Sequence, residues 1–291
     1  MGLASALMVL GVMASGCSAD EPRRSPIEIR VEPVTSTSQY VGPAQRHLLD
    51  PGERRTFLRA YDTQMALCVQ EEGETLVLDD SRRPEWLLEL VSPIYAAQPL
   101  GPVNERRVAQ YGFHDPEATL GSETVVFEGR TTGKALLDRC TTKVVNQLGG
   151  EPPRGLPSMI LDAGKAVTVD ERFTAAQDRW SQCMGKQGYS YDTPTQVQRE
   201  FTQTSSITQQ EITAATASLE CQRTARNIDT YVALLYAHEQ RLIDDNLDLF
   251  AAFDSWKGRA LTAAAEVIAS HALPKNRTEL PAPSLGVPGG G

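Results

Sequence analysis

The chain is short of aromatic residues (6 %), holds only four histidines, and carries fewer basic than acidic side chains, 28 against 37 for a net charge of −9. An acidic surface with no Lys/Arg stripe argues against nucleic-acid binding and against tight adsorption to anionic lipid. Few aromatics leave little material for stacking on sugars or single-stranded bases. No Cys-x₂₋₄-Cys pair occurs among the five cysteines, so the spacing of a structural zinc site is missing. No G-x-S-x-G or S-x-x-K is present to support acyl transfer through a serine. Nor is there an apolar run long enough to span a bilayer.

One shorter apolar run does exist. From Leu3 to Ala14 every residue is apolar or small, the length of the hydrophobic region of a signal peptide, and "ASGC" (14–17) follows directly. This triplet of small residues before a cysteine resembles the lipobox of bacterial lipoproteins. The resemblance implies that 1–16 is a signal peptide, that Cys17 becomes the mature N-terminus carrying a diacylglyceryl group, and that two or more acyl chains such as palmitate give the stable anchoring one chain cannot. The competing reading, a buried N-terminal helix, would require a polar face that this run lacks. Residues 17–47 are rich in Pro, Ser and Thr, so they read as a lipidated N-terminus and flexible tether, with Ile27, Ile29 and Val31 alternating as a short strand without evident partner.

Four cysteines then remain, Cys68, Cys140, Cys183 and Cys221, an even number behind an export signal, and disulfides are favoured over zinc. Cys68 and Cys183 each end a helical stretch in Cys-x₄-Gly, followed by a short alternating run that ends in Asp. Cys140 and Cys221 each close an Ala/Leu-rich run, "GKALLDRC" and "TAATASLEC". Two divergent copies of one helix–loop–helix unit would each close on themselves, which selects Cys68–Cys140 and Cys183–Cys221 from three possible connectivities. The alternative is a chance recurrence in which each Gly is a plain helix cap. Loops of this size are worth about 4 kcal/mol each in the chain-entropy model.

The fold class expected is therefore mainly α with at most minor β: a first helical unit at 48–148, a Gly/Pro linker at 149–159, a second unit at 160–272 and a disordered tail at 273–291. Helices are expected at Glu53–Glu71, Pro84–Val91 and Asp170–Gln187, with a short strand at Thr124–Glu128. Thr208–Ala272 holds no proline and one glycine, and Cys221, Ile228, Leu235, Leu242, Leu249 and Trp256 recur along it every seven residues. Unbroken, such a helix would reach about 95 Å. A restart at Asn227 or Asp229, or a break near Ser255–Gly258, is expected. Glu239 and Asn246 interrupt the apolar seam and read as register-setting polar residues or edge positions.

Motifs for chemistry are incomplete. "DDNLDLFAAFDS" (244–255) lacks the Gly and the terminal Glu of a calcium loop, "GRTTGKA" (129–135) lacks the first Gly and the final hydroxyl of a phosphate loop, and "HEQRL" (238–242) lacks the second His of a zincin. No metal or cofactor is expected. The intercysteine stretch spans 72 positions in the first copy and 38 in the second, which places an insertion of about 34 residues near 84–121. It contains Arg106, Arg107, Tyr111, Phe113 and His114, the composition of a recognition loop. Equally, Tyr111 and Phe113 could pin a long loop to the core.

Together "ASGC", "RVAQYGFHDP", "CMGKQGYSYDTP", "ITAATASLEC" and "YVALLYAHEQRLIDDN" resemble uncharacterised predicted lipoproteins of high-GC Gram-positive bacteria. The resemblance implies an address, the outer face of the bacterial cytoplasmic membrane, and no activity. The expectation is a lipid-anchored cell-envelope lipoprotein, non-enzymatic, acting on an envelope protein or cell-wall component. A ligand-capturing lipoprotein of a transporter ranks below it for want of alternating strands and helices, and a cell-wall hydrolase ranks lower still.

Overall fold

The computed structural model describes residues 26–74, 87, 104–114, 126–127, 133–203, 206–270 and 277–278. Cys17, the segment 1–16 and most of the 273–291 tail lie outside them. So does the expected helix at Pro84–Val91, except for Leu87, which is helical and buried in the core. Among the described residues nine α-helices carry the fold: α1 (Pro51–Glu71), α2 (Glu105–Tyr111), α3 (Lys134–Gln147), α4 (Leu156–Thr168), α5 (Glu171–Lys186), α6 (Pro194–Phe201), α7 (Gln209–Ala225), α8 (Asn227–Asp245) and α9 (Leu247–Ser270). The β structure described is one antiparallel ladder in which Val126–Phe127 pairs with Arg277–Thr278, so part of the tail expected to be disordered is a strand.

Local chemistry sets the ends of these helices. Asp50 accepts from the N–H groups of Gly52 and Glu53, while Glu53 reaches back to the Asp50 N–H at 2.8 Å. This capping box, with Pro51 in the first turn, starts α1. The two Cys-x₄-Gly segments end their helices in the same way. Gly73 (φ +76°) and Gly188 (φ +86°) take the left-handed conformation. The following N–H, of Glu74 or Tyr189, then donates to the carbonyl of the residue just after the cysteine, Val69 at 3.2 Å or Met184 at 3.0 Å. The same turn recurs at the same offset from the cysteine, as expected of two copies of one unit. Cys68–Cys140 staples α1 to α3, and Cys183–Cys221 staples α5 to α7.

The expected long helix is helical nearly throughout but turns twice. Arg226 sits at φ 54°, ψ 34° between α7 and α8 and is itself the N-cap of the restart, one residue before the nearer of the two expected positions, Asn227 and Asp229. A side chain other than glycine is uncommon there. The Arg226 guanidinium is held on both sides, donating to the Val31 carbonyl at 3.0 Å and to Asp229 at 3.2 Å. The second turn is at Asn246, whose side-chain amide donates to the Leu242 carbonyl at 2.8 Å. Its backbone carbonyl accepts the first N–H groups of α9. No break occurs at Ser255–Gly258, through which α9 runs uninterrupted.

The packing groups cross the sequence boundary expected at 149–159. Phe57, Tyr61, Met65 and Val69 of α1, Val144 of α3 and its C-cap Leu148 form one core with Phe253, Trp256 and Ala260 of α9, a helix expected in the second unit. Phe57 and Trp256 meet edge to face at 5.8 Å. Conversely Val108 and Phe113, from the insertion in the first unit, pack with Trp180, Met184, Val197 and Leu219 of α5, α6 and α7. A third cluster joins Tyr40, Val167 of α4 and Phe173 of α5 to Ile228, Tyr231 and Leu235 of α8. Each half thus lends a helix to the other. Periodicity identifies the apolar face of α9, but the partner is decided by shape and by what else is available to cover it. The linker also shortens, because α4 begins at Leu156.

The expected flexible tether at 17–47 is corrected over residues 26–47, the part of it that the structure describes. Residues 26–49 form a strap lying along α8 and the start of α5, with short 3₁₀ turns at Thr37–Tyr40 and Ala44–His47. Its few apolar residues, Ile29, Val34 and Tyr40, pack on the α4–α8 cluster, and Leu48 and Leu49 enter the first core. No ladder forms at Ile27–Val31 among the described residues. The strap is held through its backbone as well as through these side chains, and a count of apolar residues registers only the latter.

Candidate functional site

Two buried carboxylates receive the two docked segments. Glu211, in the first turn of α7, is 1 % exposed. The Phe113 N–H donates to its Oε1 at 2.8 Å, and His114 Nδ1 lies 2.8 Å from the same oxygen. Gly112 comes so close that a Cβ there would meet Glu211 Oε1 at 2.5 Å. Glu239, midway along α8, is fully buried. Its Oε2 accepts the N–H groups of Ala44 (2.9 Å) and Gln45 (3.4 Å), and its Oε1 accepts the Gln45 side-chain amide at 2.6 Å. Both sites follow one rule: a carboxylate on a C-terminal helix gathers the backbone of a distant loop, and a glycine lets the loop in.

The recognition loop expected from the sequence is the first of these segments. Asn104 caps α2 by accepting from the N–H groups of Arg106 and Arg107. Val108 is buried, and Phe113 is buried and stacked on Phe201 at 5.8 Å. Phe113 and His114 therefore fasten the loop. Arg106 is exposed, while Arg107 and Tyr111 are half-buried. The Glu105 carboxylate pairs with Arg223 of α7, adding a second tie at the start of the helix. Of the five expected residues, the structure leaves Arg106, with the outer parts of Arg107 and Tyr111, as the accessible set.

Around Glu239 the ionisable groups are dense. Burial, with help from Asp229 and Tyr231, holds the Tyr40 hydroxyl well above the ordinary phenol range. Burial and the Glu239 charge push Tyr231 up to about 12. Glu239 itself is raised above the usual carboxylate value because desolvation outweighs the hydrogen bonds from Gln45 and Ala44. Desolvation lowers His238, with Arg241 and Arg172 acting in the same direction and Asp170 opposing it. His238 Nε2 has no hydrogen-bond partner among the described residues. Such clusters mark catalytic sites when they open on a cleft, and structural networks otherwise. This one is filled by the strap. A nearby crevice between Val34, Gln222, Arg223 and Asp229 has a volume of about 20 Å³, room for one water.

Among the described residues no three His, Cys, Asp or Glu side chains converge in a way that could hold a metal, and no helix is long and apolar enough to cross a membrane. Glu239 was visible in the sequence as a polar residue in an apolar seam. Glu211 was not singled out, although Thr208-x-x-Glu211 has the form of a capping box. Thr208 does accept from the Glu211 N–H at 3.1 Å, but the carboxylate turns away to Phe113 and His114. No protein-family profile, curated protein or solved structure matches this chain.

Proposed function

We propose that the protein is a lipid-anchored lipoprotein of the bacterial cell envelope, held at the outer face of the cytoplasmic membrane by acyl chains on Cys17. There it acts through protein interaction or cell-wall-associated assembly, without catalysis and without nucleic acid as a partner. The observation that carries the reading is the arithmetic of the cysteines. Four of the five are used in two disulfides that close on themselves, which belongs to an oxidising compartment. Cys17 is the one left over, directly behind the short apolar run.

Supporting the non-catalytic part, Glu239, the buried carboxylate of that cluster, is taken up by Ala44 and Gln45 of the strap. The surface offered to a partner is the outer side of α2, where an Arg-rich turn is fixed from beneath by Phe113 and Glu211. Rigid presentation of Arg and Tyr suits an interaction hot spot, because little side-chain and loop entropy is left to lose on binding.

Metabolic labelling with a tagged fatty acid in a bacterial host tests the address. The parent protein should carry the label and fractionate with membranes, and Cys17→Ala should lose both. Equal labelling of the two would end the proposal.

A further inference from the structure

We propose that the strap holds the domain close against the bilayer, with the α4–α5 turn facing the lipid headgroups. This rests on the anchored-lipoprotein reading, and adds to it a distance and an orientation. The strap is fastened along its length. The Arg172 guanidinium, itself clamped by Asp170 at 2.7 Å, donates to the Ile27 carbonyl at 2.8 Å. Arg226 holds the Val31 carbonyl at 3.0 Å, Asp229 accepts the Val34 N–H at 2.9 Å, and Glu239 gathers Ala44 and Gln45. The leash that counts therefore runs only from Cys17 to Ile27, about ten residues, which span at most ~35 Å even when fully extended. Had all of 17–47 been free, the reach would have been about 100 Å.

The edge at the end of this leash is suited to the position. At the α4–α5 turn Val169 is 78 % exposed, an apolar tip beside the Arg172–Ile27 tie. Three ion pairs lie along this edge, Arg30 with Glu32 at 3.1 Å, Lys165 with Asp162 at 2.8 Å and Arg172 with Asp170 at 2.7 Å, and the exposed Glu28 and Glu171 add negative charge to it. A chain of net charge −9 is repelled as a whole by anionic lipid, so the acyl anchor and the short leash are what hold this edge near the bilayer.

The test uses the full-length, lipidated protein in vesicles whose headgroups carry an energy acceptor. With four cysteines in disulfides and Cys17 acylated, a single new thiol can be labelled with a donor, either at Val169→Cys or at Lys134→Cys on the start of α3. The expected result is a larger loss of donor emission at position 169 than at 134. The gap should collapse when a Gly/Ser insert of about thirty residues, a flexible coil, is placed after Asp20. Membrane-bound protein with equal losses at the two positions, or a gap that survives the insert, would overturn this orientation while leaving the anchor standing. Protein that stays in the aqueous fraction would overturn both.

Discussion

Gly42 stands directly against Glu239, so close that a Cβ at position 42 would lie 2.0 Å from the Glu239 Oε2 oxygen. The pair joins a segment near the start of the chain to the middle of α8. The same arrangement recurs at Gly112 and Glu211, where the clearance would be 2.5 Å and the glycine also adopts φ +57°. Gly42→Ala must displace the carboxylate or the strap and should cost about 1–3 kcal/mol. Gly112→Ala adds backbone strain and should cost at least about 2 kcal/mol. Urea unfolding at unchanged slope measures both, and parent-like midpoints in both variants would refute the close-approach argument.

Glu239 gives the fold a pH dependence whose sign is fixed. Its pKa is raised in the folded state, so the folded protein binds the proton more tightly than the unfolded chain does. The resulting stability is fully present below the ordinary carboxylate value and is lost as pH rises through the raised one. Glu239→Gln keeps an oxygen for the Ala44 and Gln45 N–H groups and removes the charge. Its stability should change less over that interval than the parent's. Parallel curves for the two proteins would show that Glu239 is not the group responsible.

Each disulfide can be removed as a pair. Cys68→Ser with Cys140→Ser opens a 72-residue separation, and Cys183→Ser with Cys221→Ser opens one of 38. Loop entropy predicts losses of roughly 4 kcal/mol each, the larger loop costing about half a kilocalorie more. Guanidinium unfolding of the two double variants checks the order as well as the size.

Recognition and fastening should separate on the α2 segment. Phe113→Ala removes a buried ring from a stacked pair and should cost about 3–5 kcal/mol, whereas Arg106→Ala at an exposed site should stay within about 0.5 kcal/mol. If α2 is the binding surface, Arg106→Ala should lower the yield of partner captured by crosslinking in intact cells while leaving the melting temperature alone. A large stability loss in Arg106→Ala would assign that residue to the fastening instead.

How much of this was legible in the sequence follows from how local each feature is. The disulfide pairing could be inferred because Cys-x₄-Gly encodes a turn made by a few consecutive residues, and the structure repeats that turn at Gly73 and Gly188. The turn at Arg226 could only be half foreseen. Its left-handed backbone is stabilised by the Val31 carbonyl, nearly two hundred residues away in the chain. The strap escaped composition because many of its ties run from its backbone N–H and carbonyl groups to Glu239, Asp229, Arg172 and Arg226. Glu239 was visible as a polar residue out of place, but nothing local showed what it was waiting for. The cross-packing of α9 on α1 was hidden for a related reason, since an apolar stripe does not name the surface that will cover it.

That exchange of helices has a temporal side. Trp256, against which Phe57 closes, is synthesised about two hundred residues after it. Helix α1 can meet α3 early, but the part of its apolar face that α9 covers must wait for those later residues. A nascent chain stalled before Leu247 would leave the α9-facing side of α1 bare, and a protease would find an unfinished copy open there.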